Sequence, residues 1–98
     1  MLYEHKIYTV KSSDVERYLE FLVKLFAMLE KHGYKSIGPF RTVIGDKHDI
    51  YYLNAWESMA QREKARVAAL NDKGVQKLMA PQYVADVIKK TSVLLQDV

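Results

Sequence analysis

Glu4, Lys6 and Tyr8 stand at alternate positions of the stretch LYEHKIYTV near the start of the chain. In an extended strand, alternate side chains project from one face. A carboxylate, an ammonium and a phenol would then sit side by side. Later, Tyr52, Asn54 and Trp56 repeat that spacing within DIYYLNAW. The catalytic candidates are Glu4, Tyr8 and Tyr52, and the ligand-binding candidates are Lys6, Asn54 and Trp56. Glu4 would serve as a general base if burial raised its pKa. An ion pair with Lys6 that fixes the register of a dimer is the preferred reading, because structural ion pairs also perturb pKa values. Tyr8, Tyr52 and Trp56 could stack an aromatic or polyketide-like substrate, although aromatics on strands more often build cores and interfaces. Asn54, an amide between aromatic neighbours, needs partners if buried. It could hold a carbonyl or enolate oxygen of a ligand, or make a hydrogen bond across a subunit boundary.

Other chemistries lack their signatures. The chain has no cysteine, which excludes disulfides, thiolate zinc sites and cysteine nucleophiles. Its histidines, His5, His32 and His48, share no metal-ligand spacing. Only His5 lies on an expected strand, and the reading as a haem or metal ligand is set aside. His32 falls in the last turn of an expected helix, and His48 in a turn beside Asp46 and Asp49. Gly33, Gly38, Gly45 and Gly74 are too dispersed for a phosphate loop, and no serine nucleophile elbow is present. No metal and no cofactor is expected. The net charge of +3, from 15 Lys and Arg against 12 Asp and Glu, is too mild for a nucleic-acid binder. The densest basic run, QREKAR at 61–66, reads as a solvated helix face. Glu4 and Lys6 interrupt the first apolar stretch, so it is not a signal peptide, and no run reaches membrane-spanning length. The expected compartment is the cytoplasm.

The elements that must position these residues follow from patterning. The 98 residues, 49% hydrophobic and 28% charged, suit one folded domain over residues 1–98. A domain this small gains from oligomerisation. Residues 2–10 read as a strand. Ser13 with Glu16 reads as a capping box that opens a helix. Apolar residues at 15, 18, 19, 22, 23, 26 and 29 form its inner face, and a second stripe of Phe21, Leu25 and Met28 suggests a further contact. His32 and Gly33 close that helix. Tyr34 to Ile44 is extended, with Gly38-Pro39 marking an edge strand or bulge. Gly45 to His48 makes a hairpin connection, and Asp49 to Trp56 is the next strand. Ser58 with Gln61 caps the helix MAQREKARVAAL, whose buried side is small. Asn71 caps a short helix ending near Met79, Pro81 breaks the chain, and a strand runs from Val87 to Leu95.

The order β-α-β-β-α-β predicts an α+β, ferredoxin-like domain: a four-stranded antiparallel sheet with the helices on one face. The first and third strands are then central neighbours. Ile7, Tyr51, Leu53 and Ala55 form the more apolar set and are assigned to the helix side. Glu4, Lys6, Tyr8, Tyr52, Asn54 and Trp56 are assigned to the opposite face, where a second subunit or a ligand would cover them.

Three segments carry a family resemblance. YEHKIYT resembles "YELRxYT", IYYLNAWESMAQREKARVAAL resembles "VVHLWAYxSLaeRerARaaL", and IKKTSVLL is an apolar final strand at the right spacing. The chain resembles a NIPSNAP-family domain, of the dimeric α+β barrel group. Glu4, Tyr8 and Arg62 match the pattern. Lys6 stands where the family usually has Arg, Tyr52 where it has His, Asn54 where it has Trp, and Trp56 where it has Tyr. The resemblance implies a homodimer with a cavity of small-molecule scale, and no single reaction. The wider group includes cofactor-independent monooxygenases, lactone isomerases and haem-binding enzymes. The expected function is binding of a small aromatic or carbonyl-containing molecule on the sheet, with monooxygenase- or isomerase-like chemistry. The alternative is a non-catalytic assembly module in which the same side chains join subunits.

Overall fold

In the computed structural model, which describes residues 1–45, 49–80 and 87–98, β1 (Leu2–Val10) leads through a short 3-10 turn (Ser12–Asp14) into α1 (Val15–Glu30). Then follow β2 (Lys35–Arg41), β3 (Asp49–Trp56), α2 (Met59–Leu70), α3 (Lys73–Leu78) and β4 (Val87–Gln96). The strands form one antiparallel sheet in the order β2-β3-β1-β4, with β1 and β3 central as expected. This is the ferredoxin-like α+β arrangement. Asp46, Lys47 and His48 of the expected hairpin connection, and Pro81 with the residues to 86, lie outside the described residues.

Local signals explain most boundaries. Ser58 caps α2 by accepting a hydrogen bond from the Gln61 backbone N–H (3.1 Å), while the Gln61 side chain accepts from the N–H of Glu57 (3.1 Å). The end of α1 is closed by Gly33, at φ 95°, with the N–H of Tyr34 donating to the carbonyl of Leu29 and that of Gly33 to Glu30. Two expected caps differ. Ser13 and Glu16 form no capping box: the chain enters α1 through the 3-10 turn, Asp14 occupies the cap position, and Glu16 turns outward to Arg41 (2.6 Å). Asp72, not Asn71, caps α3, accepting from the N–H groups of Gly74 (2.8 Å) and Val75 (3.3 Å). Asp72 also pairs with His32 (2.8 Å), which ties α3 to the end of α1.

The two edges of the sheet are unlike. Pairing of β2 with β3 shifts register between Ile37 and Phe40, at Gly38-Pro39, so the edge strand carries the expected bulge. Gly38 has φ 120°, and a Cβ there would meet the Tyr51 carbonyl at 3.2 Å. On the other edge, β4 pairs with β1 without interruption from Thr9 to Leu2.

The core lies between the sheet and the helices. α1 contributes Tyr18, Phe21, Leu22, Leu25 and Leu29, α2 contributes Ala65 and Ala69, and the sheet contributes Val10, Ile50, Tyr52 and Trp56. Phe21 and Leu25 therefore belong to the core rather than to a further contact, and Val23 of the expected inner stripe is exposed. The face assignment of the sheet is reversed. Ile50, Tyr52, Asn54 and Trp56 are buried under the helices with Glu4, whereas Ile7, Tyr51 and Leu53 lie on the open face. Ala55 is also on the open side, small and shielded between Tyr3 and Lys35 on the flanking strands. Polarity misled the assignment because the helix side encloses an ion network, while the open face is itself rich in apolar side chains.

Candidate functional site

The register of the central strands sets the site. On the helix side, Asn54 stands opposite Glu4 and Tyr52 opposite Lys6. Cross-strand partners hold their Cβ atoms about 5 Å apart. Above them, α2 brings in Arg62. Glu4 is the hub. Its Oε2 accepts from Arg62 Nη2 (2.8 Å), its Oε1 accepts from Trp56 Nε1 (3.3 Å), and Lys6 Nζ lies 3.6 Å from Oε2. Arg62 Nη1 donates to Glu63 (2.8 Å), whose carboxylate lies 3.8 Å from Arg66.

These contacts decide the protonation of Glu4. Burial alone would raise its pKa, but the hydrogen bond from Arg62, the charges of Lys6 and Arg62, and the bond from Trp56 together hold it below the usual 4.5. Glu4 is thus a fixed carboxylate that organises cations. The expectation of a general base with a raised pKa is not met. Its ion pair with Lys6 does form, inside one subunit and under the helices.

The phenols form a second unit. The Tyr8 and Tyr52 hydroxyls lie 3.0 Å apart. Tyr52 packs edge-on to Phe26 (4.9 Å) and Tyr8 edge-on to Tyr18 (5.8 Å). Burial, followed by the proximity of Tyr8, pushes the Tyr52 pKa far above that of a free phenol, so this hydroxyl stays protonated and can donate. Asn54 accepts from Ser36 Oγ (2.7 Å) through its side-chain oxygen. Trp56, fully buried, packs edge-on to Tyr34 (4.8 Å).

Glu4, Lys6, Tyr8, Tyr52 and Asn54 border one cavity of about 240 Å³. Arg62 and Arg66 border it too, and Leu25, Leu29, Val75 and Met79 give it an apolar wall. The sequence candidates thus converge, except Trp56, which acts from behind through Glu4. None of them lies on the open face, so they do not join subunits there. Arg62 was missed as a site residue when QREKAR was read as a solvated face. Its spacing to the buried Ala65 and Ala69 is the signal that turns it inward. His5 lies on the open face beside Tyr51 (6.2 Å between ring centres) and is remote from this cavity's wall. Among the described residues, no group of three or more His, Cys, Asp or Glu side chains could hold a metal ion, and no helix is long and apolar enough to cross a membrane.

Comparison with known proteins adds three findings. A family model described as NIPSNAP matches residues 3–95. No curated protein matches the sequence. Among solved structures, an uncharacterized NIPSNAP domain protein from Burkholderia xenovorans superposes with a TM-score of 0.86 at 18% identity, over 100% of this chain and 95% of that one. A NIPSNAP family protein from Agrobacterium tumefaciens gives 0.85 at 19%, over 99% and 92%. An antibiotic biosynthesis monooxygenase gives 0.69 at 16%, over 100% and 99%. At these identities the likeness is one of fold.

Proposed function

The chain belongs to the NIPSNAP family, and from that premise we propose that it is a homodimeric domain that binds a small aromatic or carbonyl-containing molecule between its sheet and helices. The observation that carries this reading is the shared wall. Glu4, Lys6, Tyr8, Tyr52 and Asn54 border one space of about 240 Å³, with an apolar wall facing them. Ligand pockets combine a mostly apolar lining with a few convergent polar groups in this way. The volume is that of about eight water molecules, enough for a one-ring or short-chain ligand. The reaction class such a wall suits is cofactor-independent oxygenation or isomerisation of an enolisable substrate. A phenolic O–H and an ammonium beside a carbonyl oxygen stabilise the enolate that both reactions pass through. The fold shared with an antibiotic biosynthesis monooxygenase is in keeping with that class.

Calorimetry with a panel of cyclic 1,3-diketones and hydroxyquinones tests the reading. A saturable heat is expected for at least one compound. Met79→Trp, which fills the cavity from its partly exposed rim, should abolish it, and Tyr52→Phe should weaken it about tenfold, the loss of roughly one hydrogen bond. Binding that neither substitution touches, or none at all, would sink the proposal.

A second reading, a non-catalytic assembly module, draws on a separate observation. Ile37, Phe40, Val93 and Leu95 leave the open sheet face apolar and exposed. That patch supports subunit association whether or not the cavity turns anything over.

A further inference from the structure

The charged groups at the cavity form an alternating chain: Lys6, Glu4, Arg62, Glu63, Arg66. Three cations face two carboxylates, so one positive charge is left uncompensated within the chain. Both ends of it are cationic, and both ends border the cavity. In the middle, Arg62 holds Glu4 and Glu63 at 2.8 Å each, while its Nε is buried without a hydrogen-bond partner among the described residues. The ends are held more loosely. Lys6 Nζ stands 3.6 Å from Glu4, beyond hydrogen-bond reach, and its ammonium makes no hydrogen bond among the described residues. Its side chain is 23% exposed, so a ligand's acceptor would take the place of water at those donors. Arg66 meets Glu63 at 3.8 Å from a more open position. Beside Lys6 stands the Tyr8–Tyr52 pair. One of its two O–H groups serves the mutual bond, and the other remains a donor.

A half-buried ammonium with unspent donors, a phenolic donor next to it and one excess positive charge describe a receptor for a single anion. Resting on the cavity-binding reading above, we propose that the ligand is an organic monocarboxylate. Its carboxylate sits at Lys6 and the tyrosine pair, and its apolar body lies against Leu25, Leu29 and Val75. Arg66, at the other end of the chain, draws the anion in. The head group enters as a carboxylate and completes the alternation of charge. A neutral ligand would leave Lys6 with only its longer ion pair to Glu4, and a cation would add to the excess.

Benzoate, benzamide and benzylamine, near-equal in size and different in charge, are the probes, titrated calorimetrically against the intact chain at low and high salt. Benzoate should bind about tenfold or more tighter than benzamide, and benzylamine should not bind. Lys6→Met should remove the preference for benzoate over benzamide, and Lys6→Arg should restore it. Arg66→Met should lower benzoate affinity and its salt dependence while leaving benzamide unchanged, which decides the matter even if Lys6→Met does not fold. Benzamide binding as tightly as benzoate, or benzylamine binding tighter, would overturn the monocarboxylate assignment while leaving the cavity reading intact. Failure of all three probes, together with failure of the diketone panel, would overturn both.

Discussion

Glu4 shows how a single buried carboxylate can organise the charges around it. It is a carboxylate held by Arg62, Trp56 and Lys6, and its folded pKa lies below its usual 4.5. A group whose pKa is depressed on folding contributes stability above its unfolded value and loses it as the pH falls through the folded one. Glu4→Gln should therefore cost about 3 kcal/mol at pH 7, the low end for a broken buried pair because Glu63 still holds Arg62. The gap between the two proteins should narrow as the pH drops below 4.5. Urea midpoints at pH 7 and pH 3 measure both effects, and an equal gap at the two pH values would count against the assignment. The grouping of Glu4 with Lys6, Tyr8, Tyr52 and Asn54 was legible in the sequence because strand alternation sorts residues onto faces. Which face turns to the helices was not legible. A period of two yields two sets and labels neither, and the set that looked more apolar is the open one.

At the scale of elements, α3 is the shortest helix at the cavity. It is a single short helix that contributes Val75 beside Met79, and Asp72 holds its start. The His32 hydrogen bond leads in lowering the Asp72 pKa, with the backbone N–H groups of Val75 and Gly74 adding to it. This contribution is present above the usual 3.8 and fades as the pH falls through the lower folded value. Asp72→Ala removes the cap and the His32 bond together, whereas Asp72→Asn keeps a cap acceptor and loses the charge. Amide exchange across Lys73–Leu78 should quicken most in the alanine variant and less in the asparagine one, with α1 unaffected. Equal exchange in all three proteins would remove Asp72 from this role. The strands, α1 and α2 were readable from periodicity and from the Ser58 cap. The start of α1 was not, because the chain enters it through a 3-10 turn, in which the N–H of Asp14 donates to the carbonyl of Lys11 and no side chain caps the helix. The short α3 offered too few residues for its cap to be told from its neighbour Asn71.

For the whole molecule, the open sheet face is the feature that a lone chain leaves unsatisfied. Val93 stands opposite His5 on that face and is 44% exposed. In a monomer, a surface substitution there costs within about 0.5 kcal/mol. In a face-to-face dimer it would bury a charge without a partner. Val93→Asp should therefore convert a sedimenting dimer to monomer while thermal unfolding of the monomer stays cooperative, and an unchanged dimer would exclude this face as the interface. The unlike edges of the sheet have a consequence of another kind. The pairing of β2 is interrupted at Gly38-Pro39 and resumes at Phe40, and a proline offers no N–H to an incoming strand. β4 presents an edge that pairs regularly from Lys89 to Gln96, past the register shift near its start, with the run Val93-Leu94-Leu95 near its end. Any aberrant extension of this sheet into a fibril would start at β4 and grow in one direction. Lys89 and Lys90, exposed at the other end of β4, are the charges that stand guard against it.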